Sequence, residues 1–557
     1  MKKSFYILFY LLASASIAGA QSNRAAQELL VKESRGSEQS RHATFRGLVV
    51  DAETSQPIEA RVHLRDSHGR WYLVESDGGH AVHYERDLPS LPDSPEVHTT
   101  LSGDPFITAL PAGQYTIRVE RGKEYIPFVG QISINDRPLF QEIRLRRWIN
   151  MASRGWYSGD THVHRSIEDL PNVLLAEDLN VALPLSYWVH AAGTAPTEPK
   201  DDPEAVAKGL HVVDSTHVIY SRNTEYEIFE VDRKARTLGA VFVLNHKEPI
   251  ALSVPPVAPI GQLARQQGAL LDLDKHSWPW SLMIVPVMEV DLFELSNNHV
   301  WQTGFGFPQW TIDTISPAMQ LQQNDFGLTE WGWIDYGFQT YYALINCGFR
   351  MRVTAGTASG VHPVPLGFGR VYVRLPAGFS YDGWIEGLNA GRSFVSTGPM
   401  LDLRFNAHDA GHHFHVTEPD QAFVQITGTA ESQKPLRRIE IVVNGVIAKT
   451  ICPTNEANEH GGFTSKIDVT VRRDASFWTA VRCFEKHPEN RVRFAHTNPV
   501  YVDLAGSQVR PRRREVEYFI SRLEEEIPRL RGVISEESLA EYQQALQIYQ
   551  EIRKNAK

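Results

Sequence analysis

Apolar and polar positions change rhythm three times along the chain. From Thr44 short alternating runs, "TFRGLVVDAETSQPIEARVHLRD", "GQYTIRVERG" and "QEIRLRRW", are broken by Gly, Pro and Asp, which predicts a β-sandwich over 43–148. Within 149–399 continuous apolar runs such as "VALPLSYW", "LGAVFVLNH" and "LMIVPVMEVDLFELS" alternate with helix-like segments such as "IEDLPNVLLAEDL" and "DGWIEGLNAG". Strands buried on both faces and interleaved with helices predict an α/β domain. Alternation returns in 400–506, where the "VNG" step between apolar runs predicts a hairpin and the whole a second β-sandwich. In the tail, 507–557, Val516, Phe519, Ile520, Leu523 and Ile527 keep helical spacing, and Leu539, Tyr542, Leu546 and Tyr549 repeat it after Ser535 as N-cap. These two helices must cover their apolar faces with the body of the protein or with another copy, which would make a homo-oligomer. The fold class expected is multi-domain, α/β plus β.

The first residues follow a different logic. Lys2 and Lys3 precede the apolar run "FYILFYLLASASIAG", and "AGA" before Gln21 offers a cleavage site, so 1–20 reads as a signal peptide and 21–42 as a polar leader. Secretion or a periplasmic location is expected, with no membrane span in the mature chain. Loss of Lys2 and Lys3 takes the formal charge from −10 to −12, which argues against nucleic acid as partner. Of three cysteines, Cys452 and Cys483 share the second sandwich and are the pair expected to form a disulfide.

Candidate chemistry centres on "SGDTHVHRSIED". In a strand His162 and His164 share a face, the arrangement a borderline metal ion needs from two ligands, and Asp160 on that face could orient a ring. Further donors stand near the ends of later strands, where open α/β folds gather their sites: either Glu225 or Glu227 in "NTEYEIFE", His246 after "AVFVLNH", and His299 after "FELSNN". The run "HDAGHHFH" supplies His408, His412, His413 and His415 as a separate group with metal-binding spacing.

The first motif resembles that of the PHP metallohydrolase superfamily, in which His-x-His is followed five residues later by an aspartate, here Asp169. The stretches "AEDLNVALPLSYW", "TLGAVFVLNHKEP", "CGFRMRVTAGTASGVHP" and "VSTGPML" are similar to the carbaryl-hydrolase-like (CehA/McbA) branch, and the first β domain resembles carboxypeptidase-regulatory-like modules. The resemblance implies a distorted β/α barrel between two sandwiches. Two superfamily motifs have lost their ligands, because Ser186, Tyr187 and Trp188 replace one and Gly356 to Gly360 ("GTASG") the other. The surviving donors suit one or two divalent ions, zinc before manganese or iron.

Such a centre would hydrolyse an ester, carbamate, amide or phosphoester of a small or glycan-derived molecule. Glu177 or Asp169 would serve as general base, Arg165 would neutralise an anionic group and Tyr187 would stabilise an oxyanion. The alternative is a degenerate relative that binds carbohydrate or a surface through Trp278, Trp280, Trp301, Trp310, Trp331 and Trp333.

Overall fold

A computed structural model describes residues 42–557 apart from 89–90, 92–93 and 308–314; the expected signal peptide, almost all of the leader, and Trp310 lie outside the described residues. The chain is mixed α/β and mostly strand. Two sheets of the N-terminal part, one built on His42–Asp51 and one on Ala60–Asp66, pack face to face over Phe45, Val62, Leu64, Phe106, Tyr115 and Ile117. The predicted alternation is visible in Gly113–Glu120, where Tyr115, Ile117 and Val119 point into that core.

The central strands fall into two sheets. One has six strands in the order Tyr187–Ala191, Thr224–Val231, Lys234–Leu244, Leu270–Leu273, Leu292–Ser296 and Arg352–Ala355. The other contains Val181–Pro184, Trp156–Val163, Arg370–Arg374 and Ser393–Ser396 as consecutive neighbours. The sheets meet where Ala358 N donates to His162 O (2.7 Å) and His164 N to Ser359 O (2.8 Å), and again where Leu185 N donates to Val163 O (2.9 Å). His162 therefore stands in the seam between two sheets.

The second sheet does not stop at the end of the α/β segment. Ser393–Ser396 pairs with Phe494–Thr497, and the ladder continues through Phe477–Glu485 into the hairpin Leu436–Val443/Val446–Ile451. That hairpin turns at Asn444 (φ 48°) and Gly445 (φ 77°), the left-handed pair that an Asn-Gly turn supplies. Cys483 is buried in this ladder and Cys452 is exposed beyond it; both are free thiols, so the expected disulfide is not formed.

Helix Glu330–Asn346, capped by Thr329 Oγ1 accepting from Gly332 N (3.1 Å), is buried on nearly every side. Tyr342 packs on Trp478 and Trp331 on Phe484, which joins the central and C-terminal cores. The tail forms two helices, Arg513–Leu530 and Glu536–Lys554, and Ser535 caps the second as predicted. Their apolar faces join the central core beside Ser281–Met288, and Glu541 accepts from Val257 N (2.9 Å) and Ala258 N (2.7 Å) at the start of Ala258–Gln267. The body of the chain thus covers the faces that could have paired two copies. No helix among the described residues is long and apolar enough to cross a membrane.

The N-terminal sandwich is fastened by a buried ion-pair cluster. Arg61, 3% exposed, bonds Glu120 Oε2 (2.7 Å) within its own sandwich and Glu177 at the end of helix Leu170–Ala176. Removing the guanidinium would leave Glu177 buried without its cation and Glu120 with only Arg118 and His63 beside it, a loss of about 3–5 kcal/mol. Arg61→Ala is expected to lower the thermal midpoint clearly and to expose the linker near Arg147 to limited proteolysis, whereas Arg46→Ala at an exposed pair with Asp77 should leave both unchanged.

Candidate metal centre

Every residue of the strand Trp156–Val163 is buried. His162 and His164 lie on one face, as period two requires, with their Nε2 atoms 3.2 Å apart. Facing them from Thr224–Val231 is Glu225, whose Oε2 is 3.3 Å from His164 Nε2 and whose Oε1 is 3.9 Å from His162 Nε2. On the other edge of the same ring, His162 Nδ1 stands 3.3 Å from Glu294 Oε2 and 3.9 Å from Asp274 Oδ1. Glu225, Glu227 and Asp274 form a third close group beside these two.

The electrostatics of the site are dominated by four carboxylates, Glu225, Glu227, Asp274 and Glu294, all buried. Lys275 opposes them with an ammonium bonded to Asp274 Oδ2 and 3.6 Å from Glu227 Oε1. At the mouth Lys200 Nζ lies 3.0 Å from His164 Nδ1, and desolvation pulls its pKa down to about 8. Even with both lysines charged, two negative charges are left over. Burial, reinforced by Glu227, pushes the Glu225 carboxyl well above its ordinary range, and burial with Asp274 does the same to Glu294. Glu225 Oε2, Asp274 Oδ1 and Glu294 Oε1 are buried and receive no hydrogen bond.

A divalent cation fits that set of donors. Two imidazole nitrogens and a carboxylate are ligands of borderline character, and the excess negative charge is of the size such an ion cancels. With the ion at His162 Nε2, the Nδ1 proton points to Glu294, the carboxylate–histidine pairing that fixes a ligand's tautomer. An ion held at His164 Nε2 would leave that ring's Nδ1 facing Lys200 Nζ, 3.0 Å away.

The loop Gly356–Gly360 supplies scaffold in place of ligands. A Cβ at Gly356 would come 1.9 Å from Glu294 Oε1 and 2.2 Å from His162 Cβ, so only glycine lets the backbone pass there. Thr357 Oγ1 donates to Asp160 Oδ2 (2.6 Å), and Asp160 also accepts from His162 N (3.0 Å) and Gly367 N (2.9 Å). Asp160 thus ties backbone to loop and does not orient an imidazole; burial raises its pKa to about 6. The N-terminal sandwich holds the same loop from outside, for Tyr84 accepts from Gly360 N (3.0 Å) and Arg86 Nε donates to Gly360 O (3.0 Å).

Of the residues expected from the sequence, His162, His164, Glu225 and Glu227 come together and six do not. His246 follows Asn245, whose φ of 62° turns the chain, so its Nε2 meets Thr224 Oγ1 (2.9 Å) on the strand face opposite Glu225. His299 is drawn into an aromatic cluster, tilted against Phe307 (3.9 Å) and edge-on to Trp333 (4.6 Å), outside the close donor groups. Glu177 is committed to Arg61. Arg165 lies over the Tyr84 ring (3.7 Å) and donates to Ser359 Oγ (3.1 Å), in the seam with the N-terminal sandwich. Tyr187 packs with Ile167 and Val206, while its neighbour Trp188, on the other face of the strand, touches His164 (4.5 Å) and donates to Glu227 Oε2 (3.1 Å). Asp169 sits at the start of helix Leu170–Ala176, where its own N donates to Ser166 Oγ (3.2 Å).

The sequence reading missed Asp274, Lys275, Glu294 and Lys200. Their signal was present in "LLDLDKH", where acids alternate with leucines, and in the lone glutamate of "LFELS". Elsewhere, His413, His415 and Asp503 form a surface group, but Arg350 Nη1 (2.8 Å) and Asp503 Oδ2 (2.7 Å) occupy the two His413 nitrogens. His63, Glu96 and His98 form another, in which Glu96 already bonds His98 Nδ1 (2.8 Å) close to the Arg61 guanidinium.

No protein-family model, curated protein or solved structure matches the chain. The geometry separates two histidines that the sequence grouped. His162→Ala is expected to abolish zinc retention after gel filtration, read by plasma mass spectrometry, whereas His246→Ala should keep it. Loss in both variants would contradict the geometry.

Proposed function

We propose that the protein is a metal-dependent hydrolase related to the carbaryl-hydrolase-like branch of the PHP superfamily, with its central strands corresponding to that family's distorted barrel. The observation that carries this reading is the convergence of His162, His164 and Glu225 beside an excess of buried carboxylates. Zinc is the ion best suited to two imidazoles and one carboxylate. Bound there, it would supply Lewis acidity, bringing the pKa of water toward neutrality and polarising a carbonyl or phosphoryl group.

The roles expected of Glu177, Asp169, Arg165 and Tyr187 fall instead to residues beside His162 and His164. Glu227, held by Trp188 Nε1 and next to the Glu225 carboxylate, takes the proton from the attacking water and returns it to the leaving group. Lys200, exposed at the mouth and 4.9 Å from the Trp188 ring centre, attracts an anionic or strongly polar part of the substrate. Trp188 is half-buried and Lys200 exposed, so the Lys200 side is the edge from which substrate would approach the buried donors. Ester, carbamate, amide and phosphoester bonds all suit this arrangement, on a small molecule outside the cytoplasm.

The carbohydrate-binding alternative has less support. Trp278, Trp280, Trp301, Trp331 and Trp333 are buried; the last four belong to the central core and Trp278 packs on Phe229 near Lys275, so none offers an exposed stacking platform.

Aryl esters, carbamates and phosphoesters with chromogenic leaving groups test the proposal. Activity should vanish on chelation and return with zinc, and Glu227→Gln should lower kcat about 10²–10⁴-fold while metal content stays at the wild-type level. Turnover that survives complete chelation would overturn the reading.

A further inference from the structure

Glu225, Glu227 and Asp274 place three carboxylate oxygen atoms within 4.8 Å of one another, a spacing that suits a second divalent ion beside the first. A cation is already there. Lys275 follows Asp274 directly, and its side chain, 4% exposed, bonds Asp274 Oδ2 and stands 3.6 Å from Glu227 Oε1. The backbone beneath it is pinned, because Lys275 O accepts from Ser281 Oγ at the start of helix Ser281–Met288.

We propose that Lys275 is a built-in cation that takes the place of a second metal ion and sets the centre at one ion per chain. The inference rests on the reading of His162, His164 and Glu225 as metal ligands. Its logic is charge and tethering. A divalent ion in the same group would have to displace an ammonium that cannot diffuse away, or share its oxygens at a few ångströms, where two dehydrated cations repel strongly. The remaining donor group, His162 Nδ1 with Asp274 and Glu294, is no refuge for a second ion. A ring bound through Nε2 keeps its Nδ1 proton for Glu294 unless the imidazole gives up both protons.

The arrangement also has a consequence for chemistry. An ion in that group would take Glu227 as a ligand, whereas an ammonium at 3.6 Å leaves its carboxylate able to accept a proton. Lys275 is therefore a positioning residue, and it makes the difference between a single-ion centre with a free carboxylate and a two-ion centre without one.

The test counts ions. The full mature chain, stripped with a chelator, is titrated with zinc in competition with a zinc indicator, in parallel with Lys275→Met, Lys275→Gln and Lys275→Arg, with folding checked by circular dichroism. The expected result is one tight zinc in the wild type and in Lys275→Arg, and two in Lys275→Met and Lys275→Gln. Two in the wild type, or one in both folded neutral variants, overturns the inference while the hydrolase reading stands. None in the wild type defeats the underlying reading itself. Should neither neutral variant fold, the wild-type count decides, since two ions there contradict a lysine that fills the second position.

Discussion

Four carboxylates buried around one pair of imidazoles are the constraint on which the rest of this structure depends. Charges of one sign do not stay together in a dry cavity unless cations compensate them, protons neutralise them, or both. Here the compensation is partial, for Lys275 lies within the group and Lys200 at its edge, and the deficit is what makes a divalent ion the natural occupant. The surrounding architecture reads as support for that cavity. Asp160 and Thr357 lock the strand that bears His162 to the loop behind it, Gly356 lets that loop approach, and Tyr84 and Arg86 brace it from a separate sandwich.

The N-terminal sandwich is in this sense more than an appendage. Its Arg61 is held at once by its own Glu120 and by Glu177 of the central part, and its Tyr84 ring lies under Arg165. Residues that looked catalytic in the sequence, Glu177 and Arg165, are charged groups recruited to fasten one sandwich to the α/β core. Buried ionic clusters fix geometry more than they add stability, and fixed geometry is what a ligand strand needs.

How much of this could be read from the sequence depended on whether a feature is local. Strand alternation, the Asn444-Gly445 turn and the Ser535 cap are set by neighbouring residues and were legible as such. So were His162 with His164 and Glu225 with Glu227, since residues two apart in a strand share a face. Parity also separates Tyr187 from the site, since Trp188, one residue on and therefore on the other face, is the one that touches it. His246 failed for a subtler reason, a left-handed Asn245 that turns the chain before the ring is placed. Glu294 and Asp274 are single acids in apolar runs, and only the tertiary seam shows that they converge. The pairing of Phe394 with Thr497, which carries one sheet out of the central part into the C-terminal one, is non-local and left no mark in the pattern.

The most direct test of the central claim is anomalous diffraction at the zinc edge from crystals of the protein grown with zinc. The account predicts one strong peak about 2.0–2.2 Å from His162 Nε2, His164 Nε2 and a Glu225 oxygen. Zinc found only at His413 and His415, only at His63 and His98, or nowhere in the chain would contradict it.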